Sequence, residues 1–350
     1  MLRRALAAFA PLLSMALAGF GANGCAVQSG EADELAADEA EIAYGDRGAV
    51  QIYNANLKHL SQPGRPSFEG TDFTRLLHWM ARQETLPDIL TLQEVGTREG
   101  DKRSQSCDAF VDALERIVRP DGWKTGWKCI VANGSTSSLD NAQGGVAIVH
   151  RGRFDPIGRK ETLPLYRWSD GECRRANEGT GWTALVQKFD DGKHTIAVAS
   201  VHLPLAGRGA NATGDDCAAR NLDLVEAALA ATKADAKVIA GDMNHGDATR
   251  RVSTDGTVVH EHWEVAYRDR NRALSGSRYH DPFFEACNGD SRCLETDHWT
   301  MNNEGEIDAR IDWVLVAGAR TENAKTIGFE EVDPTMRYSD HRAHAVRVRY

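Results

Sequence analysis

A carboxylate and a carboxamide stand two positions apart at the end of one apolar run. The segment VIAGDMNHGD, residues 238–247, carries Asp242 and Asn244 directly after VIAG. In an extended chain, residues i and i+2 point to the same side, so these two side chains are predicted to share one face. Their oxygen atoms can then act together on a single bound group.

Similar polar residues close other apolar runs of the chain. A lone Asn or Asp after a strand is usually a turn former. Turn formation does not explain a Glu after TLQ, residues 91–93, or a His inside ASVHL, residues 199–203. The set as a whole therefore indicates a functional site, and its members are Asn54, Asn56, Glu94, His202, Asp242, Asn244, Asp312, Asp340 and His341.

The elements that must position these residues alternate between strands and helices. AVQIYNANL, residues 49–57, and DILTLQEV, residues 88–95, have the composition of strands, and residues 73–80 between them have helical apolar spacing. This alternation predicts a layered α/β sandwich in one domain spanning residues 48–350. Further strands are predicted at GGVAIVH, TALVQKF, TIAVASVHL, KVIAGDMN, RIDWVLV and AHAVRVRY, and further helices at 110–118 and 222–229.

The charge of the chain does not identify a partner. Of the formal net charge of -10, a large share comes from residues 26–47, which hold seven acidic residues and one Arg. The remainder is mildly acidic, so there is no global electrostatic case for binding a polyanion. A polyanionic substrate is still compatible with this charge, because a bound metal ion can supply positive charge locally.

The first 25 residues have the form of a secretory signal. Two Arg precede an uncharged apolar run and then small residues, and the run is too short to span a bilayer comfortably. We expect export, with the protein secreted, periplasmic or held in the cell envelope; the alternative is a buried N-terminal helix. Cleavage after Ala16-Leu17-Ala18 suits ordinary signal peptidase, whereas Gly24-Cys25 resembles the end of a bacterial lipobox and implies a membrane anchor on Cys25. Residues 26–47 are predicted to be an acidic Ala/Glu/Asp linker.

Seven cysteines bear on the same choice. If Cys25 becomes a lipidated N-terminus, an even number remains in the domain, which in an exported protein fits up to three disulfides. Cys287 and Cys293 are close enough to pair locally. The sequence does not decide the other partners, and the cysteines concerned are Cys107, Cys129, Cys173 and Cys217.

An ordered series of short motifs resembles the endonuclease/exonuclease/phosphatase superfamily, whose fold is that of deoxyribonuclease I. The motifs are YNAN, LQEV, GGVAIVHR, SVHL, GDMN, RIDWV and SDH, and they cover residues 48–350. The resemblance implies a four-layer α/β sandwich of two packed β-sheets flanked by helices. It also implies phosphoester hydrolysis with a divalent cation, usually Mg²⁺, with Mn²⁺ or Ca²⁺ as alternatives.

The resemblance assigns a metal site to oxygen-bearing side chains. Hard oxygen ligands suit Mg²⁺, which takes few carboxylates and keeps several waters. Glu94 is the expected direct ligand and Asp340 a second or alternative ligand. Asn54 and Asn56 are expected to help hold the metal site.

The remaining motif residues are expected to act on the phosphate. Asp242 would orient or deprotonate the attacking water, and Asn244 would hydrogen-bond the phosphate or the metal-bound shell. His341 is expected to pair with Asp312, which fixes the imidazole tautomer and favours its protonated form. His202 is expected to contact the phosphate. Its motif SVHL replaces the Tyr/Pro/Asn motif of exonuclease III-like members, which argues against an abasic-site repair enzyme.

Other histidines and acids are interpreted as structural. Asp297 and His298 in TDHW precede RIDW, whereas the catalytic pair of the superfamily follows it. Residues with a loop, surface or core interpretation are His59, His78, His245, Asp247, His262, His280 and Asp308.

The substrate is predicted less directly. The segment YRDRNRALSGSRYH carries Arg268, Arg270, Arg272 and Arg278, which are expected to track a nucleic-acid backbone or else to form a solvated face. A monomeric nuclease is the leading hypothesis. A phosphodiesterase or phosphatase acting on a lipid headgroup or small phosphoester is second, although QEVGT differs from the QEAFD type of bacterial sphingomyelinases. A non-catalytic binding protein is third.

Overall fold

The computed structural model describes residues 48–58, 71–95, 103–118, 126–132, 145–169, 172–175, 182–204, 213–244, 251–252, 258–259, 279–301 and 310–350. These residues belong to one compact unit, Ala43–Tyr350. The described strands are β1 (Ala49–Asn56), β2 (Ile89–Gln93), β3 (Lys128–Val131), β4 (Val146–His150), β5 (Asp155–Pro164), β6 (Tyr166–Ser169), β7 (Glu172–Arg175), β8 (Thr183–Asp190), β9 (Thr195–His202), β10 (Ala236–Asp242), β11 (Arg251–Val252), β12 (Val258–Val259), β13 (Asp312–Ala317), β14 (Arg320–Ile327) and β15 (Ala343–Arg349). The described helices are α1 (Thr74–Met80), α2 (Arg103–Val118), α3 (Thr213–Ala231), α4 (Pro282–Ala286), α5 (Ser291–Asp297) and α6 (Phe329–Val332).

Two sheets form the centre of the fold. The first has the strand order β14-β15-β1-β2-β4-β3, and the second has the order β13-β10-β9-β8-β5. Each contains one parallel pair, β1 with β2 and β9 with β10, and their other pairings are antiparallel. A helix connects the strands of each parallel pair, because parallel neighbours need a crossover connection.

The sheets pack face to face, and helices cover their outer faces. One apolar cluster fills the space between the sheets, with Val50 and Ile52 from β1 facing Val198 and Val238 from β9 and β10. A second cluster packs α1 and α2 on the first sheet, and a third packs α3 on the second. Strands covered on both sides read as continuous apolar runs, which explains VIAG. The predicted α/β sandwich of two packed sheets flanked by helices is confirmed.

The described residues form three disulfides. Cys107–Cys129 links α2 to β3, and Cys173–Cys217 links β7 to α3. Cys287–Cys293 closes a short loop between α4 and α5, as the sequence predicted. Three disulfides indicate an oxidising, extracellular-type environment. Among the described helices, none has the length and apolar character needed to cross a membrane.

Candidate active site

The carboxyl ends of the two parallel pairs meet at one edge of the sandwich. Asn56 ends β1 opposite Gln93, and Asp242 ends β10 opposite His202. The Asn56 amide Nδ2 donates to Asp242 Oδ2 at 3.0 Å and to Glu94 Oε1 at 3.2 Å. One buried amide therefore connects two carboxylates across the two sheets.

The backbone at this edge is sterically demanding. Glu94 and Asn244 have φ of 54° and 51°, in the left-handed region that non-glycine residues seldom occupy. Such conformations cluster at functional sites, where the surrounding structure holds them. Gly241 is required for another reason, because a Cβ there would overlap the carbonyl oxygen of Val201. Because glycine has no Cβ, β10 can lie close enough to β9 to place Asp242 beside His202.

Asp242 and Asn244 are in contact, but not for the reason that an extended chain implies. The strand ends at Asp242, and the Asn244 backbone N donates to Asp242 Oδ1 at 2.7 Å. This is a turn closed by the aspartate side chain. The amide of Asn244 is oriented in turn, because its Nδ2 donates to Leu203 O at 2.6 Å.

Two histidines lie close to the same oxygen of Asp242. His341 Nδ1 donates to Asp312 Oδ2 at 2.8 Å and lies 3.9 Å from Asp242 Oδ2. His202 Nε2 lies 3.3 Å from Asp242 Oδ2. Asp242 and Asp312 are opposite each other on paired strands, which explains why two residues 70 positions apart in the chain share His341.

Burial and charge set the ionisation of this group. Burial raises the pKa of Asp242, but the imidazoles of His202 and His341 and the Asn244 N–H outweigh it and lower that pKa to about 2. Burial lowers the pKa of His341, but Asp312, Asp242 and Asp340 together raise it well above its usual value. Burial also raises the pKa of Asp312. We therefore assign a proton to the His341–Asp312 hydrogen bond at neutral pH.

Asp340 lies at the open side of the group. Its Oδ2 is 2.7 Å from Lys58 Nζ, and its Oδ1 is 4.0 Å from His341 Nε2. Burial raises the pKa of Asp340, but His341 and Lys58 outweigh it and lower that pKa. The side chains of Lys58 and Asp340 are 23% and 24% exposed, whereas that of His341 is 5% exposed.

Asn54 lies one step deeper, between the sheets. Its Oδ1 accepts from Thr91 Oγ1 at 2.8 Å and from Gln93 Nε2 at 3.0 Å. Gln93 Nε2 also lies 3.3 Å from Ser200 Oγ on the second sheet. The observed contacts of Asn54 therefore support the strands beneath Asn56.

The sequence did not predict Lys58 at the site, nor Thr300, Ser339 and Trp182. Thr300 Oγ1 accepts from the backbone N of Asp312, and Ser339 Oγ donates to Asn56 O. The ring of Trp182 stands edge-on to His202 with centroids 4.3 Å apart. Ser339 is the first letter of the SDH motif and could have been found there. Thr300 and Trp182 carry no local signal, because only tertiary packing brings them to the site.

Other sequence candidates lie elsewhere or outside the described residues. His298 Nδ1 is 2.9 Å from Thr326 Oγ1, and Asp297 lies beside the Cys287–Cys293 disulfide. His78 is exposed on α1, and His280 Nε2 lies 3.3 Å from Thr321 Oγ1. The sequence candidates that fall outside the described residues are His59, His245, Asp247, His262, Arg268, Arg270, Arg272, Arg278 and Asp308.

Comparison with known proteins agrees with this architecture. The sequence matches no protein-family model, and a search of curated proteins finds no match. Among solved structures, truncated TDP2 of Caenorhabditis elegans is 16% identical with a TM-score of 0.51, covering 86% of this chain and 98% of that one. An endonuclease/exonuclease/phosphatase from Bacteroides vulgatus is 15% identical with a TM-score of 0.53, covering 86% and 99%.

A third similar structure is a complex with DNA. It is D. rerio TDP2 complexed with a single-strand DNA product, 14% identical with a TM-score of 0.54, covering 87% of this chain and 100% of that one. Likeness at this level of identity shows the fold. The chain has the endonuclease/exonuclease/phosphatase fold that its motifs resemble.

Proposed function

We propose that this chain is an exported, divalent-metal-dependent phosphoester hydrolase that cleaves phosphodiester bonds of nucleic acid. The observation that carries the proposal is the Asn56 amide, which holds the carboxylates of Glu94 and Asp242 together. His202 and the His341–Asp312 pair adjoin the same carboxylate. Carboxylates beside a cationic imidazole provide both a metal site and a phosphate site.

The donors fit a hard divalent cation. Glu94 supplies a buried carboxylate and Asp340 one that is about one quarter exposed, and Mg²⁺ prefers a few such oxygens together with water. We propose Glu94 as the direct ligand, Asp340 as a second ligand, and Asn54 and Asn56 as supports. When bound, the cation would neutralise phosphate charge and act as a Lewis acid. Mn²⁺ or Ca²⁺ would use the same oxygens.

A second group of potential ligands adjoins the first. Ligand atoms of Asp242, Asp312 and His341 lie within 4.8 Å of one another. We assign this group to water and phosphate, because the His341 nitrogen that faces the carboxylates already donates to Asp312. A protonated imidazole is not a metal ligand.

Asp242 is proposed to orient the attacking water. A carboxyl group with a pKa of about 2 is ionised at neutral pH and is a weak base, so orientation suits it better than proton removal. Asn244 is proposed to contact the phosphate through an amide that Leu203 O holds in place. Its position two residues after Asp242 would put the phosphate next to the oriented water.

The imidazoles are proposed to stabilise phosphate charge. His341 carries a proton held by Asp312, and a fixed cation aimed at developing negative charge needs no reorganisation during the reaction. His202, whose Nε2 lies 3.3 Å from Asp242 Oδ2, is also proposed to contact the phosphate. The Trp182 ring packs edge-on against the imidazole of His202 and restricts the orientation of that imidazole.

Nucleic acid is the substrate class that the comparisons favour. D. rerio TDP2, with the same fold, has been solved with a single-strand DNA product. Because this chain is acidic overall, contacts to a nucleic-acid backbone must be local, and we propose Arg268, Arg270, Arg272 and Arg278 for them.

Export is supported by two independent features. The N-terminal 25 residues have the form of a signal, and three disulfides suit an oxidising compartment. We propose that residues 26–47 are a linker, that residues 48–350 form the catalytic domain and that the protein acts as a monomer. A lipid anchor on Cys25 is the alternative to soluble secretion.

The substrate class is tested with the disulfide-bonded protein. Plasmid DNA, RNA, sphingomyelin and a bis-aryl phosphodiester are each incubated with Mg²⁺ and, separately, with EDTA. We expect Mg²⁺-dependent cleavage of a nucleic acid. Turnover restricted to the lipid or the aryl ester would contradict the nuclease and assign the small-phosphoester class. No turnover of any substrate would contradict the hydrolase and favour a binding protein on the same fold.

A further inference from the structure

A lysine occupies the open side of the candidate site. Lys58 Nζ lies 2.7 Å from Asp340 Oδ2, and both side chains are about one quarter exposed. The side chains of Asp242 and Asp312 behind them are 2% and 0% exposed. Among the described charged residues named here, Lys58 and Asp340 are therefore the two that are most accessible to an incoming ligand.

The position of Lys58 is built into the strand end. Its backbone N donates to Asn56 Oδ1 at 3.0 Å, and the backbone N of Leu57 donates to Gln93 O. Lys58 itself has a φ of 46°, which is uncommon for a residue with a side chain. The amide that joins Glu94 to Asp242 thus also fixes the turn that carries the lysine.

A purely stabilising ion pair is a weak explanation of this arrangement. About three quarters of each side chain is shielded from solvent, and the attraction within such an ion pair is largely offset by the cost of removing both charges from water. The cluster behind the pair holds the carboxylates of Glu94, Asp242 and Asp312, and an anionic phosphate can approach them only if positive charge accompanies it. A lysine ammonium is a compact, mobile cation that binds phosphate as a point charge.

We propose that Lys58 is a further substrate-binding residue, whose ammonium exchanges Asp340 for a non-bridging phosphate oxygen. This inference rests on the proposed phosphoester hydrolysis at the same site. Asp340 holds the ammonium in position before substrate binds. After the exchange, the Asp340 carboxylate is released for the metal role proposed above.

Calorimetric titration of the full chain with inorganic phosphate in Mg²⁺ tests the contact. Lys58→Met should weaken phosphate binding about tenfold, the usual effect of losing one charged hydrogen bond, and Lys58→Arg should weaken it less. Lys193→Met is the matched control and should leave phosphate binding unchanged. Lys193 is exposed and precedes the first residue of β9, whereas His202 is the last residue of that strand. Thermal melting checks that each variant is folded.

His202→Asn separates the two claims. If His202→Asn weakens phosphate binding and Lys58→Met does not, the Lys58 inference is wrong and the proposed site stands. If neither substitution changes phosphate binding, the phosphate site itself is wrong. Loss in both variants supports both claims.

The exchange with Asp340 is tested in EDTA, where Asp340 has no metal to bind. If Asp340 competes with phosphate for the ammonium, Asp340→Asn should tighten phosphate binding. The gain in affinity should be larger when Lys58 is present than when Asp340→Asn is combined with Lys58→Met. Equal effects in both backgrounds would contradict the exchange.

Discussion

The side-chain amide of Asn56 and the carboxylate of Asp242 form a hydrogen bond of 3.0 Å that crosses from one sheet to the other. Asn56 ends β1 of the six-stranded sheet, and Asp242 ends β10 of the five-stranded sheet. The same nitrogen donates to Glu94. The relative position of the proposed metal ligand and the proposed water-orienting carboxylate therefore depends on one residue.

Replacing that residue should uncouple the two carboxylates. Asn56→Ala leaves Glu94 and Asp242 without their shared donor, and we expect a loss of about 1–3 kcal/mol in the free energy of unfolding. Activity per folded molecule should fall as well. Urea unfolding and a nuclease assay measure the two effects.

Asn221→Ala is the matched control for Asn56→Ala. Asn221 is equally buried, and its side chain bonds both the backbone N and O of Tyr166. Its replacement should cost similar stability while leaving activity per folded molecule unchanged. Full activity in folded Asn56→Ala would contradict the role assigned to the bridge.

His341 and Asp312 should act as one unit. Each single variant, His341→Ala or Asp312→Ala, is expected to lower kcat about a hundredfold or more, as for loss of a proton-handling group. The double variant should be about as slow as either single variant, because residues that act together fail together. Multiplication of the two effects in the double variant would show that the residues act independently.

Metal-free stability should decline at alkaline pH. The pKa of His341 is raised in the folded protein, so the stability it contributes is complete below about 6.5, its ordinary value, and is lost as pH rises through the folded pKa. Asp242 has the opposite sign: its contribution is present above its ordinary pKa of 3.8 and is lost as pH falls through about 2.

Denaturant titrations in EDTA across the pH range measure this dependence. The ordinary pKa of histidine is about 6.5, and the decline in stability is expected above this pH. His341→Gln should flatten that decline. His78→Gln, which alters an exposed residue of α1, should keep the wild-type slope. An unchanged alkaline decline in His341→Gln would show that another group causes it.

Gly241 should not tolerate a side chain. Gly241→Ala places a Cβ against the Val201 carbonyl, so β9 and β10 must separate, at a cost of about 3 kcal/mol for such overpacking. Gly328→Ala is the control, because its Cβ would meet only the Glu330 side chain at 3.6 Å. Equal thermal stability of both variants would exclude the steric explanation.

Apolar runs interleaved with helical spacing were sufficient to predict an α/β sandwich and the strands that carry the site, whereas the two packed sheets were implied by the motif resemblance. VIAG and most of TIAVASVHL are buried on both faces, so their sequences are mostly apolar and the polar Ser200 and His202 stand out. Strand β14, with the sequence RTENAKTI, was not predicted, because it is an edge strand with mostly exposed side chains. Its pairing with β15 is a tertiary fact.

The site was predictable as a set of residues and less so in its geometry. The contact between Asp242 and Asn244 was expected from strand alternation, whereas the structure forms it with a left-handed turn at Asn244. Thr300 and Trp182 reach the site only through packing. The partners of Cys107 and Cys173 were likewise undecidable, because disulfide pairing follows the fold.

Mg²⁺-dependent nicking of supercoiled plasmid by wild type and Glu94→Ala tests the central claim most directly. Wild type should nick plasmid in Mg²⁺ and not in EDTA, and Mg²⁺ should raise its melting temperature, since an ion that binds the folded state stabilises it. Glu94→Ala should be folded but lose both effects, while Glu172→Ala, 71% exposed on β7, should keep them. If Glu94→Ala nicks plasmid at the wild-type rate and is still stabilised by Mg²⁺, the proposed metal site is contradicted.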